Sequence, residues 1–222
     1  RRKTVKNSKG VFPLSDFIIL TDSSADLDAD MVRKLDVQVL PLAFIMEEHT
    51  YYNYPDNRDM DPHIFYDRLR KGELATTNAV NVAQYTETLE PLLQAGKDVL
   101  ILAFSSGLSN TYNSSRLAVE EMSAKYPHRK LYTVDTLCAS LGQGLLVWYA
   151  ARQRDRGMSI EEVRDWIEDH KQNLCHQFTV DDLHFLKRGG RISAATAMVG
   201  SMLQIKPVLH VDNEGHLINI GK

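Results

Sequence analysis

A run of six apolar residues followed at once by a hydroxyl-rich turn constrains the fold of this chain more than any other stretch. Residues 99–104 read Val-Leu-Ile-Leu-Ala-Phe, and residues 105–111 read Ser-Ser-Gly-Leu-Ser-Asn-Thr. A parallel strand that is covered on both faces is apolar throughout, so this run predicts a central buried strand. The abrupt change at Ser105 predicts the carboxyl end of that strand, with a helix following.

The polar turn is suited to binding an anion. Backbone N–H groups before a helix and the helix dipole favour negative charge, and the carboxyl edge of an open α/β sheet is the usual ligand site. No Lys or Arg lies between Asp98 and Arg116, so hydroxyl and amide groups would hold the ligand. This arrangement suits one carboxylate better than a polyphosphate. The alternative is that the serines only cap the next helix.

Strands and helices alternate along the first two thirds of the chain. Apolar runs at 17–21 and 131–134 each end in polar residues and lead into helical segments. This alternation predicts an α/β fold with a parallel sheet and right-handed crossovers. Residues 207–211 and 217–220, joined by Asp-Asn-Glu-Gly, predict a hairpin, so the last part of the chain is partly antiparallel.

Local signals define several further elements. Asn81 with Gln84, and Ser159 with Glu162, have the spacing of capping boxes at the start of helices. Residues 37–45 are strand-like, with Pro41 favouring an edge or a bulge, and residues 75–80 read as a polar linker.

Bulk composition excludes several classes of protein. The chain has 222 residues, of which 43% are apolar and 25% charged, enough for one large or two small globular domains. The net charge is −3 and the basic residues are dispersed, which argues against a nucleic-acid partner. Cys138 and Cys175 are isolated and the histidines lack ligand spacing, so we expect no disulfide, no metal and no cofactor. With no signal peptide or apolar run of membrane-spanning length, we expect a cytoplasmic protein without membrane insertion.

Changes of pattern suggest the domain boundaries. We expect residues 1–14 to be a disordered tail, residues 15–157 to form an N-terminal α/β domain, and residues 158–222 to form a smaller α/β domain that is incomplete at its C-terminal end. The division rests on Gly157, where the alternation of strand and helix breaks.

Four landmarks in one order resemble the bacterial DegV family of fatty-acid-binding proteins, which includes the acyl-carrier subunit of fatty acid kinase. They cover the chain from about Phe17 to its end. The landmarks are Thr-Asp-Ser-Ser-Ala-Asp-Leu at 21–27, the linker around Thr77, Ser-Ser-Gly-Leu-Ser-Asn-Thr-Tyr at 105–112, and Phe-Leu-Lys-Arg-Gly-Gly-Arg-Ile at 185–192.

The resemblance implies two α/β domains of the EDD fold with a long-chain fatty acid between them. Its carboxylate would lie near Thr77 and Ser106, and the chain would have no catalytic residue. Because no phosphate-binding GxxxxGK[ST] loop occurs, phosphorylation of the bound acid would need a separate fatty acid kinase subunit. The candidate ligand-binding residues are Thr77, Ser106, Ser105, Asn78, Ser24 and Arg191.

The chain also departs from the family pattern. The linker reads Thr-Asn-Ala-Val instead of the usual Thr-Ser-Gln-Pro, Asn110 stands where glycine is common, and the family continues past the position of Lys222. Candidates for the apolar lining are Phe104, Ile192, Met198 and Met202, although each also suits a core position. The basic turn at 187–191 is a solvated face, a clamp near the head group or a docking patch for an acidic partner.

Two other functions compete with fatty acid binding. Residues 107–111 approach the nucleophile elbow GxSxG of acyl hydrolases, in which Ser109 would act with His184 or His210 and with Asp182 or Asp212. The second alternative is a phosphosugar- or nucleotide-binding module that uses the serine-rich turn.

Overall fold

The structure, a computed structural model, describes residues 4–7, 10–13, 16–192 and 206–221. Within these residues the chain alternates strands and α-helices over most of its length. The strands are β1 (Thr4–Asn7), β2 (Gly10–Pro13), β3 (Phe17–Asp22), β4 (Val37–Leu40), β5 (Ala43–Met46), β6 (His49–Tyr52), β7 (Ala75–Asn78), β8 (Asp98–Ala103), β9 (Leu131–Asp135), β10 (Gln177–Phe178), β11 (Val208–Val211) and β12 (Leu217–Gly221). The helices are α1 (Ala29–Leu35), α2 (Pro62–Arg70), α3 (Val82–Gln94), α4 (Thr111–Lys125), α5 (Ser140–Asp155), α6 (Ile160–His170) and α7 (Leu183–Arg188).

The central feature is a four-stranded parallel sheet in the order β4-β3-β8-β9. Five of the six residues of β8 are buried, which confirms that its apolar run is a central strand. Because all four strands run in one direction, the turns that follow β3, β8 and β9 meet at one edge of the sheet.

Two apolar cores cover the faces of this sheet, and alternate residues of β8 point to opposite faces. Leu100 and Leu102 pack in the core that contains α5 and α6, whereas Val99 and Ile101 pack in the core that contains α3 and α4. The parallel α/β fold predicted from the sequence is therefore confirmed.

Residues 37–45 form two strands instead of the single strand predicted. β4 ends at Leu40, and β5 belongs to a separate antiparallel sheet in the order β6-β5-β7. Pro41, which cannot donate a ladder hydrogen bond, lies between the two sheets, and the N–H of Leu42 bonds to the Ser23 hydroxyl at 2.9 Å.

The predicted polar linker at 75–80 contains the strand β7. It pairs with β5 so that Thr77 lies opposite Phe44. Directly opposite residues of an antiparallel pair lie on the same face of the sheet, so Thr77 and Phe44 share a face. The strand was missed because its side chains are polar and mostly exposed.

The C-terminal sheet has the antiparallel order β10-β11-β12. Its β11–β12 pair confirms the hairpin predicted from the sequence.

The division expected at Gly157 differs from the packing, because Ile160, Val163 and Ile167 of α6 lie in the core of the parallel sheet. Leu174, which follows α6, also packs against that core.

Helix starts agree closely with the sequence signals. Both capping boxes, Asn81 with Gln84 and Ser159 with Glu162, are present at α3 and α6.

At the N-terminus, β1 and β2 pair antiparallel where the sequence predicted a disordered tail. The β-branched residues of these two segments favour the strand conformation.

Candidate ligand site

The carboxyl edge of the parallel sheet carries two acidic residues that end strands. Asp22 is the last residue of β3 and Asp135 is the last residue of β9. These strands flank β8, so the two carboxyl groups lie on either side of the segment that follows β8.

Asp22 is fully buried and uses both carboxylate oxygens as acceptors. Its Oδ1 accepts the N–H of Ser24 at 3.0 Å, and its Oδ2 accepts the N–H of Phe104 at 2.9 Å. The side-chain amide of Gln143 also donates to Oδ2, at 3.2 Å. Burial raises the pKa of Asp22 above its ordinary value, and these hydrogen bonds oppose that shift.

Asp135 makes a similar pair of contacts through one oxygen. Its Oδ1 accepts the N–H of Ser106 and the N–H of Leu137, each at 3.1 Å. The segment after β8 is therefore held by a carboxylate from each neighbouring strand.

The serine turn, residues 105–110, satisfies most of its own backbone donors. The Ser105 hydroxyl accepts the N–H of Gly107 at 3.2 Å, and the Ser105 carbonyl accepts the N–H groups of Leu108 and Ser109, each at 3.1 Å. Because Asp135 takes the Ser106 N–H, the anion site expected from free amides is filled by the chain's own acceptors. A ligand acid at this edge must be held mainly by side chains.

Ser105 also anchors the hairpin turn, residues 212–216. Its hydroxyl donates to the carbonyl of Gly215 at 2.8 Å, and both groups are buried. The backbone of Gly215 lies so close that a Cβ at this position would be 2.0 Å from the Ser105 Oγ. Ser105 thus joins the parallel sheet to the C-terminal sheet.

A cavity of about 650 Å³ lies where the sheet edge, the β5–β6–β7 sheet, α2 and the C-terminal sheet meet. This volume is in the range typical of small-molecule sites. Apolar and aromatic side chains dominate its wall, and it is partly open to solvent. The apolar lining residues are Leu27, Leu42, Ala43, Phe44, Tyr52, Tyr54, Pro55, Met60, Pro62, Phe65, Tyr66, Phe104, Leu108, Ala139, Phe178, Leu186 and Leu217.

Three of the predicted site residues line this cavity, namely Thr77, Ser24 and Arg191. Thr77 and Arg191 are exposed at its rim. The Arg191 Nε donates to the carbonyl of Leu108 at 3.1 Å, which fixes the guanidinium beside the end of the serine turn. Among the described lining residues, Arg191 is the only Lys or Arg.

Acidic groups lie on another part of the wall. The Ser140 hydroxyl donates to the carboxylate of Asp26 at 2.6 Å, and both residues line the cavity. Partial desolvation raises the pKa of Asp26, and the bond from Ser140 opposes that shift. Asp28 lies nearby in the sequence, also lines the cavity and caps α1 by accepting the Met31 N–H.

The other predicted site residues are not on the described cavity wall. Asn78 ends β7 and is exposed, Ser106 is exposed beside Asp135, and Ser105 is buried against Gly215. Of the candidate lining residues, Phe104 lines the cavity and Ile192 packs in the small C-terminal core. Met198 and Met202 lie outside the described residues.

Sequence reasoning missed the aromatic wall contributed by β5, β6 and α2. The ring of Phe44 contacts that of Phe65 edge-on, with centroids 5.1 Å apart, and stacks on Tyr51 at 5.3 Å. Residues 43–54 do contain alternating and aromatic positions, but this pattern predicts only a hairpin. Its position over the sheet edge depends on tertiary packing.

Ser109 has the contacts of a residue at a helix start and not those of a nucleophile. Its hydroxyl is 2.9 Å from the Thr111 hydroxyl and accepts the Thr111 N–H at 3.2 Å, at the first residue of α4. His184 bonds instead to Asp182, which caps α7, and the Nδ1 of His210 bonds to the backbone carbonyl of His176. None of these contacts joins Ser109 to either histidine, which argues against the hydrolase.

Three further features bear on the kind of site. Within the described residues, no group of three or more His, Cys, Asp and Glu side chains is arranged to hold a metal ion. In the same part of the chain, no helix has the length and apolar character needed to cross a bilayer. Cys138 is buried, which raises the pKa of its thiol to about 12 and makes it unreactive.

Comparison with known proteins gives consistent matches. Residues 16–222 match a family described as "Uncharacterised protein, DegV family". The chain is 47% identical over 206 residues to a DegV domain-containing protein of Clostridium perfringens, covering 93% of this chain and 70% of that protein.

Solved structures of similar proteins agree with this match. A DegV family protein from Thermus thermophilus, whose structure is described as showing fatty acid binding, has 32% identity and a TM-score of 0.80, covering 93% of this chain and 71% of that one. DegV from Bacillus subtilis, described as a fatty acid binding protein, has 30% identity and a TM-score of 0.78, with coverages of 94% and 72%. A stearic acid-binding protein from Eubacterium ventriosum has 25% identity and a TM-score of 0.80, with coverages of 92% and 70%.

Proposed function

The chain belongs to the DegV family, and on this basis we propose that it binds one long-chain fatty acid in the cavity at the carboxyl edge of its parallel sheet. The observation that carries the proposal is this largely apolar cavity with Arg191 at its rim. Solved relatives that bind fatty acids support the same ligand class.

The apolar wall would supply the affinity. Burying about fourteen methylene groups at roughly 0.8 kcal/mol each corresponds to about 11 kcal/mol of transfer free energy, which offsets much of an association cost of about 4–15 kcal/mol. Because the lining includes seven aromatic side chains from several elements, it offers large contact area with little loss of side-chain freedom.

Side chains at the rim would hold the carboxylate. A buried or half-buried carboxylate must keep hydrogen bonds or an opposite charge. Ser106 lies off the cavity wall, whereas Thr77 and Arg191 supply a hydroxyl and a guanidinium on it. Since the amides of the serine turn are largely occupied, these side chains carry the head-group recognition.

We further propose that the protein is a binding protein and not an enzyme. The Ser109 hydroxyl is engaged at the start of α4, so no described residue stands out as a nucleophile. Chemistry on the bound acid, such as phosphorylation, would be done by a separate fatty acid kinase subunit in the cytoplasm.

Lipid extraction from the purified protein, followed by mass spectrometry, tests the proposal directly. We expect up to one fatty acid per chain, with an acyl chain long enough to fill the cavity. Absence of any acyl chain, together with no binding of added oleic acid, would overturn the proposal.

Matched substitutions test the head-group residues. Thr77→Val should weaken oleic acid binding, whereas Thr76→Val, one residue along β7 and off the cavity wall, should not. Arg191→Gln should weaken binding more than Arg188→Gln, since Arg188 is also off the wall. Equal effects within a pair would contradict the assigned contacts.

A further inference from the structure

The two acidic residues that flank β8 make equivalent contacts. Each ends a strand, each accepts the N–H of the residue two positions later, and each accepts one N–H from the segment after β8. Asp22 bonds in this way to Ser24 and Phe104, and Asp135 to Leu137 and Ser106. The segment is therefore bound on both sides by carboxylate oxygens of the neighbouring strands.

We propose that Asp22 and Asp135 are positioning residues of the ligand cavity, which set the place of residues 104–108 from both neighbouring strands. Ser24 and Phe104, the backbone partners of Asp22, both line the cavity, and so does Leu108 two residues after Ser106. The carboxylates act through these residues. The inference concerns the same cavity and rests on the proposed function for its binding measurement.

Charge adds a second consequence. A carboxylate that accepts backbone N–H groups occupies the position that a ligand anion would otherwise take. The ligand acid is therefore directed away from the amides of the turn and toward donors on the rim. Fixing the turn and keeping anions off its backbone are two effects of the same pair of side chains.

The two positions differ in how they tolerate an amide. Both oxygens of Asp22 accept hydrogen bonds, and Oδ2 accepts two of them, so an asparagine would point its NH₂ group at a donor. Asp135 accepts its two backbone donors with Oδ1 alone. Asparagine at this position keeps both bonds and turns its NH₂ group to the other side.

This difference defines the experiment. Oleic acid affinity is measured by displacement of cis-parinaric acid for wild type, Asp22→Asn, Asp135→Asn and Asp135→Ala, at a temperature where circular dichroism shows each protein folded. Hydrogen exchange of the Ser106 and Leu137 amides is followed in the two Asp135 variants. Asp98→Ala is the matched control, because Asp98 starts β8 at the opposite end and accepts the Lys130 N–H at 2.9 Å.

We expect Asp135→Ala to weaken binding at least tenfold and to speed exchange of both amides, and Asp135→Asn to restore both properties to within about threefold of wild type. Asp22→Asn should weaken binding at least tenfold. If it does not fold, the Asp135 variants decide alone. Asp98→Ala should lower stability without changing affinity. If Asp135 had only a structural role, Asp135→Ala would show this same result.

Equal affinity for Asp135→Ala and Asp135→Asn would overturn the inference, as would a loss of binding in Asp98→Ala of the same size. If wild type binds no fatty acid, the proposed function fails. The exchange rates of the two amides then still show whether Asp135 holds the turn.

Discussion

Replacement of Gly215 by alanine tests how the C-terminal sheet is attached to the carboxyl edge of the parallel sheet. Gly215 lies in the hairpin turn with φ +81°, and its carbonyl accepts the buried Ser105 hydroxyl. A Cβ at Gly215 would be 2.0 Å from the Ser105 Oγ, and its next neighbours would be Leu137 Cδ2 at 3.2 Å and Ser105 Cβ at 3.3 Å. The hydroxyl must therefore move or the turn must withdraw.

The expected cost has two parts. A left-handed backbone costs an L-residue about 1–2 kcal/mol relative to glycine. Displacing the Ser105 hydroxyl leaves a buried donor without its partner, which costs about 1–3 kcal/mol. Gly215→Ala should therefore lower the free energy of unfolding by about 3 kcal/mol in all. This is within the range measured for single substitutions that strain the backbone or break a buried hydrogen bond.

Urea unfolding of a double-mutant cycle separates the two parts. In a Ser105→Ala background the clashing oxygen is absent, so Gly215→Ala should cost only the backbone part, about 1–2 kcal/mol. Gly190→Ala is the matched control for backbone strain, because Gly190 has φ +73° and nothing within 4 Å of its added Cβ. The same cost for Gly215→Ala in both backgrounds, or a cost no larger than that of Gly190→Ala, would refute the reasoning.

Three further substitutions have clear expected outcomes. Asn81→Ala removes the capping box of α3 and should cost about 1 kcal/mol in urea unfolding. Arg154→Met removes a buried guanidinium that donates to the carbonyl of Leu35 at 2.7 Å, leaving acceptors unpaired, and should cost about 2–3 kcal/mol in the same assay. Burial, assisted by His210, lowers the pKa of His176, so below the ordinary imidazole pKa the unfolded chain binds a proton that the folded chain does not. On lowering the pH from 7 to 5 this proton uptake favours the unfolded chain, so His176→Leu should lose less stability than wild type over that interval.

Much of the fold could be predicted because local sequence and tertiary packing agree. The apolar run of β8 has one stable position, between two cores, and short polar signals such as Asn81 with Gln84 mark helix starts by local hydrogen bonds. Features of this kind need no knowledge of distant residues.

Elements whose stability comes from distant contacts were harder to predict. β7 is polar and exposed, and it is a strand only because β5 lies beside it. Gly157 interrupts the alternation of strand and helix, yet the helix that follows packs back on the same sheet. In both cases the local sequence pattern was interpreted correctly, but the strand or sheet that packs against the segment determines its structure.

The candidate site shows the same limit. Hydroxyls at the end of β8 were visible in the sequence, and so was their suitability for an anion. That Asp22 and Asp135 already accept the neighbouring N–H groups follows from the strand order, because only β3 and β9 flank β8. Strand order cannot be read from a single sequence.

The charges on the cavity wall predict the orientation of a fatty acid bound there. Arg191 is held against the end of the serine turn by the Leu108 carbonyl, whereas Asp26 and Asp28 follow β3 and are anchored to Ser140 and α1. A carboxylate is attracted by the first group and repelled by the other two, and its tail carries no charge. We therefore expect the acid end of a fatty acid to lie toward Arg191 and its acyl chain to run along the apolar wall, where only dispersion and desolvation determine the fit.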